Sequence, residues 1–155
     1  MAENYPAIAH DLLRPLLELC SRSRAACGGD IDKFLILLAV GMRTTSHPDF
    51  ARRTQAELLS GEIPVFPGLG TNVRSIADSL GMPKETVRRK VAELVDAGWL
   101  AREGNELYFT ARAYVDLVPV REAIEFQAVR YHEIVQALID AQPADGAVRT
   151  DSHAR

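Results

Sequence analysis

Cysteine is nearly absent: among 155 residues only Cys20 and Cys27 carry thiols. On one continuous helix their spacing would set them on the same face but about 10 Å apart along the axis, too far for a disulfide. Two reduced thiols of a cytosolic protein are therefore expected, with redox sensing by one of them as the alternative. No Cys-x-x-Cys pair and no Cys/His cluster of zinc spacing occurs, so no metal or other cofactor is implied. His10, His47, His132 and His153 are scattered without ligand spacing. Long apolar runs are missing as well. Phe34 to Met42 is about half of a membrane span, so no membrane is expected. Met1 to Asn4 is not basic, and Glu3 and Asp11 interrupt the start, so no signal peptide is expected and the cytoplasm is the default. Ser75 and Ser79 lack an accompanying histidine and acid in any nucleophile motif, so the chain reads as a non-enzyme.

Positive charge is also in deficit. Lysine and arginine number 18 against 21 acids, a formal charge of −3. A protein of this balance binds a polyanion only through a locally basic surface, which has to be located in the chain. What the sequence does have is an ordinary apolar share of 47%, enough for a core at this length.

Residues 1–70 read as an N-terminal helical scaffold. Ile8, Leu12, Leu13, Leu16, Leu17 and Cys20 recur at helical spacing, which predicts a helix over about 7–25. Pro15 should kink it or mark a true start near Arg14. Asp30 caps a second helix to about Thr45, whose centre is apolar on every side, as in a helix buried among several neighbours. His47-Pro48 breaks the chain, and Asp49 is expected to cap a third helix to about Ser60. Residues 62–71 hold Pro64, Pro67, Gly68 and Gly70 and read as a loop packing Val65, Phe66 and Leu69 on the core. Thr110 caps a helix that Pro119 kinks or restarts. Ile124, Ala128, Tyr131, Val135 and Leu138 then form a narrow seam of the kind used when two helices pair. Residues 111–142 are thus a C-terminal helical region suited to dimerisation, and 143–155 a disordered tail.

The informative stretch is 71–110. Ile76 and Leu80 face inward from a first helix, Ala77 allows a second to cross closely, and Gly81, Met82 and Pro83 form a short turn. The second helix, about Lys84 to Ala97, carries the stripe Val87, Val91, Leu94 and Val95. Away from that stripe lie Glu85, Thr86 and Arg89, flanked by Lys84, Arg88 and Lys90. Four cations and one acid give this helix start a local surplus of positive charge, as a helix entering a DNA major groove requires. Arginine reads guanine N7 and O6, and glutamate accepts from cytosine N4. Two short strands, about 100–102 and 106–109, follow around Glu103-Gly104-Asn105 as a small wing. Arg74, Ser75, Arg102 and Asn105 complete the candidate DNA-binding set.

Ile76 to Leu100 resembles bacterial winged helix-turn-helix transcription regulators, and Lys84-Glu85-Thr86-Val87-Arg88-Arg89 is similar to the recognition helix of the cyclic-AMP receptor protein family. That resemblance implies base or phosphate contacts for Lys84, Glu85 and Arg89, and a phosphate contact for Thr86. No cyclic-nucleotide β-roll pattern precedes the motif, so that ligand is not carried over. The order of helices, helix pair, wing and final helix also resembles the multiple-antibiotic-resistance (MarR-type) regulators. This second likeness implies a homodimer joined through the terminal helices, and a small-molecule effector between the dimer region and the DNA-binding lobe.

The expected fold is mainly α: a winged helix-turn-helix with a short two-stranded β wing and N- and C-terminal helical extensions. The expected function is sequence-specific binding of double-stranded DNA as a homodimeric transcriptional regulator. The alternative is a winged-helix adaptor that binds another protein.

Overall fold

A computed structural model describes residues 5–141 of the chain. The tail expected at 143–155 lies outside the described residues. The described part is mainly helical, with one two-stranded antiparallel sheet.

Helix α1 spans Tyr5–Ala26 and runs straight past the position where a later start was expected, with Pro15 inside it and buried. Gly28 and Gly29, both at positive φ, end it. Helix α2, Ile31–Thr45, begins where Asp30 accepts hydrogen bonds from the backbone N–H groups of Asp32 and Lys33. Phe34, Ile36, Leu37 and Val40 of α2 are buried, but Leu38 and Met42 remain 41% and 62% exposed. The helix is therefore apolar beyond the face its own chain covers.

The single helix expected from Asp49 to Ser60 is instead two short ones, α3 (Pro48–Ala51) and α4 (Gln55–Leu59). His47 caps the first through Nδ1, in place of Asp49. The break comes from Thr54, whose side chain bonds the Glu57 N–H while the Glu57 carboxylate returns to the Thr54 N–H. That reciprocal cap satisfies two donors that a continuous helix would have used otherwise.

Helices α5 (Val73–Leu80) and α6 (Lys84–Asp96) are joined by Gly81-Met82-Pro83. Gly81 takes φ +63°, a left-handed conformation open to glycine at little cost, and lets the Met82 N–H return to the Ala77 carbonyl at 3.0 Å. Strands β1 (Leu100–Glu103) and β2 (Glu106–Phe109) pair with Leu100 opposite Phe109 and Glu103 opposite Glu106. Thr71 also bridges to Leu107, its carbonyl accepting from the Leu107 N–H at 2.7 Å, so the segment before α5 runs along the outer edge of β2. Thr110 caps α7 (Ala111–Asp116), and α8 (Val118–Asp140) restarts with Pro119 in its first turn.

Val87, Val91 and Leu94 of α6 meet Ile76 and Ala77 of α5, Ile36, Leu37 and Val40 of α2, and Leu100 and Leu107 of the hairpin. Complete burial of such side chains contributes roughly 1.5–3 kcal/mol each. A second cluster sits under the 61–71 loop. There Phe66 is 1% exposed and packs edge-on to Phe50 and Tyr114, at centroid distances of 5.8 and 5.5 Å. Leu69, expected to pack with it, is 45% exposed. Phe66 is the loop's one buried side chain, and backbone hydrogen bonds from Phe66 to Phe109, from Ala111 to Pro64 and from Leu69 to Arg43 hold the rest. Helices α1 and α8 lie against each other, and the Tyr131 hydroxyl donates to the Leu12 carbonyl at 3.1 Å.

Among the described residues no helix is long and apolar enough to cross a membrane. Cys20 is exposed and Cys27 buried. Burial, reinforced by the nearby Asp30 carboxylate, pushes the Cys27 thiol up to about 11 against the partial opposition of Lys33. A thiol so protonated is a weak nucleophile at neutral pH.

Candidate nucleic-acid interface

Helix α6 is held from behind by Val87, Val91 and Leu94, each at most 1% exposed. Its opposite side is therefore set outward. Lys84, Glu85, Arg88, Arg89, Ala92 and Asp96 are exposed, and Thr86 is half-buried. Arg74 and Ser75 are exposed in the first turn of α5, and Arg102 and Asn105 are exposed on the hairpin. Asn72 caps α5 by accepting from the Ser75 N–H at 3.0 Å, which leaves the Ser75 hydroxyl free of that task.

One expected member does not belong to this set. Lys90 is only 6% exposed, turned inward between α6 and the start of α2. Its ammonium donates to Asp30 and lies 3.4 Å from Asp32. The Asp30 hydrogen bond raises the Lys90 pKa against the opposing effect of burial, with both aspartates adding attraction. For Asp30 burial works the other way. Hydrogen bonds from Lys90 and from the Lys33 and Asp32 backbone outweigh it, and the carboxyl falls below its usual range. In the sequence Lys90 sits between Arg89 and Val91 and reads equally well as the edge of a cationic face. Only the position of α2 shows that two carboxylates await it.

Both arginines of α6 are also partnered. Arg88 grips Glu85 through two nitrogens, at 2.9 and 2.6 Å. This pairing holds the Glu85 carboxyl below its usual range. Arg89 reaches back one turn to Glu93 at 3.1 Å, and Glu93 is in turn bound by Lys33 of α2 at 2.7 Å. Arg74 lies 3.9 Å from Asp78. With Lys90 withdrawn, the solvent side of α6 carries Lys84, Arg88 and Arg89 against Glu85, Glu93 and Asp96. The positive surplus is confined to its first two turns.

The hairpin is not basic either. Arg102 is accompanied by Glu103 and Glu106, and Glu106 accepts from the Tyr108 hydroxyl at 2.6 Å. Glu93 and Lys33 had no place in the sequence-based set. Their roles depend on a contact between residues 60 positions apart, to which the i, i+4 spacing of Arg89 and Glu93 was the one visible clue.

No family model, curated protein or solved structure matches the chain.

A groove of about 210 Å³ opens between α2 and α8, walled by Leu37, Met42, Phe109, Val120 and Ile124. At its rim the Arg121 guanidinium stacks 4.3 Å above the Tyr114 ring. Beside this groove the α8 seam is largely uncovered: Ile124, Ala128 and Val135 are exposed, while Tyr131 and Leu138 are half-buried. On α1, Leu13, Leu16 and Leu17 are 53%, 45% and 72% exposed.

Proposed function

We propose that the chain is a winged helix-turn-helix regulator that reads double-stranded DNA as a homodimer, with α6 as the recognition helix and the β1–β2 hairpin as its wing. The observation that carries this reading is the presentation of Glu85, Arg88 and Arg89 on solvent from a helix whose other side is locked into the core. A rigid helix that offers charged, hydrogen-bonding side chains on its outer side can enter a major groove without refolding. The left-handed glycine between α5 and α6, and the Thr71 bridge to β2, are features this architecture uses. A cytoplasmic setting belongs to the same proposal.

The uncovered apolar side chains of α1 and α8 support a second copy as the partner at the terminal helices. Two-fold pairing would direct two α6 helices at successive major grooves, and the target would be a near-palindrome. The apolar groove supports a small, mainly apolar effector, which follows from the same likeness of layout. A protein adaptor would use the same exposed helix. The balanced charge along α6 is what that second reading draws on, because a partner protein needs no excess of cations.

Fluorescence anisotropy on genomic duplex fragments, across a salt series from 50 mM upward, separates the two; a regulator binds with a steep salt dependence. Selected fragments then test the reading helix. Arg89→Ala is expected to weaken sequence-specific binding by about 1–3 kcal/mol. Absence of any duplex binding at the lowest salt leaves the adaptor.

A further inference from the structure

The arginine best placed to read a base is not free in the unbound molecule. Arg89 is drawn toward the C-terminal end of α6 by Glu93, at 3.1 Å. Glu93 is itself tethered, because Lys33 on α2 holds the other carboxylate oxygen at 2.7 Å. Lys33 is itself placed by the first turn of α2, where Asp30 accepts from its backbone N–H. The Asp30 side chain also receives Lys90. A chain of charges thus runs from the α2 cap, through Lys33 and Glu93, to the guanidinium of Arg89.

We propose that Glu93, fixed by Lys33, is a positioning residue that competes with DNA for Arg89 and suppresses indiscriminate phosphate binding. The proposal rests on the DNA-reading function above. A phosphate offers Arg89 about what Glu93 already gives it, an exposed charge-assisted hydrogen bond, so on random sequence the exchange gains little. A guanine edge offers two aligned acceptors at a fixed position, and that geometry draws the arginine off its internal partner. Lys33 and Glu93 act through Arg89 and are positioning residues.

The test is a double-substitution cycle with full-length protein and a mixed-sequence 30-base-pair duplex of no selected site. Glu93→Gln keeps the side chain's size while removing the charge that holds Arg89. It should tighten binding about two- to fivefold, the range set by an exposed ion pair, and should steepen the salt dependence by about one phosphate contact. In an Arg89→Ala background the same substitution should have no such effect. Asp96→Asn removes an equal charge from the exposed side of α6 without freeing an arginine, and should produce a smaller gain. If Glu93→Gln and Asp96→Asn act alike, or if the gain persists without Arg89, the effect is a general field and the competition is overturned. If wild-type protein binds no duplex under any salt condition, the DNA-reading function falls, and this inference with it.

Discussion

Lys90 of α6 donates its ammonium proton to Asp30, the residue that caps α2, across 60 positions of sequence. One carboxylate thereby serves two tasks: it satisfies the first turn of α2 and it fastens the recognition-helix candidate to the scaffold. Because Lys90 is 8% exposed at its side chain, removing it leaves Asp30 and Asp32 facing each other without their cation. We expect Lys90→Ala to destabilise the protein by about 2–3 kcal/mol, toward the lower side of a broken buried pair because both aspartates retain some water contact. Lys90→Met keeps the packed stem and should lose less. Urea unfolding measures both, and equal losses would show that the stem contributes nothing. If the chain reads DNA as proposed, neither substitution should alter the salt dependence of binding, since this ammonium is paired inside the fold with Asp30 and Asp32.

The same pair sets a pH dependence. The folded Asp30 carboxyl ionises below its ordinary 3.8, so the stability it contributes is complete above that value and is lost as pH falls through the lower folded pKa. Lys90 titrates above its ordinary 10.5, so its share is complete below that value and is lost as pH rises through the higher folded pKa. The pair is therefore constant across the neutral range. Asp30→Asn retains an N-cap but removes the acidic limb. Urea midpoints between about pH 2 and 5 should fall less steeply in that variant, and parallel curves would remove Asp30 from the acid response.

The two thiols should react at very different rates. Cys20 is exposed, whereas Cys27 is 4% exposed with its pKa pushed to about 11. A colorimetric thiol reagent at neutral pH is expected to modify one cysteine rapidly and the other only on unfolding, and Cys20→Ser should abolish the rapid phase. A rapid phase that survives in Cys20→Ser would mean that the helix turn around Cys27 opens readily in the native state.

The terminal helices predict an assembly. Leu17 and Val135 are 72% and 38% exposed in the single chain, so a charge at either position is tolerated by the protomer fold. Light scattering should report a dimer for the wild type and a monomer for a Leu17→Glu/Val135→Glu double variant, with thermal unfolding still cooperative. A wild-type monomer at high micromolar concentration would remove the two-fold arrangement from the proposed function.

Much of the local structure was legible before any coordinates. The second helix was legible from its Asp30 cap, the α5–α6 turn from Gly81, Met82 and Pro83, and the hairpin from Gly104-Asn105 between apolar positions. Each of these is decided within a few residues, by backbone conformation or a cap that the local side chains supply. The division of 48–59 into two helices departs from the single helix that Asp49 suggests, although the sequence carries its signal. Thr54 and Glu57 stand three apart, the spacing of a reciprocal cap.

By itself the sequence determined the longer helices and the hairpin, and that Val87, Val91 and Leu94 face one way while Glu85 and Arg89 face the other. Periodicity specifies the two sides of a helix regardless of what lies beyond it. Only the tertiary structure decided which cations remain available. Lys90 and Arg89 are neighbours on α6, yet α2 places two carboxylates beside the first, and for the second it supplies the lysine that holds Glu93, the glutamate one turn further along α6 itself. Electrostatic partners are chosen by proximity in space, and proximity between residues 30–33 and 90–93 exists only once α2 and α6 share a core.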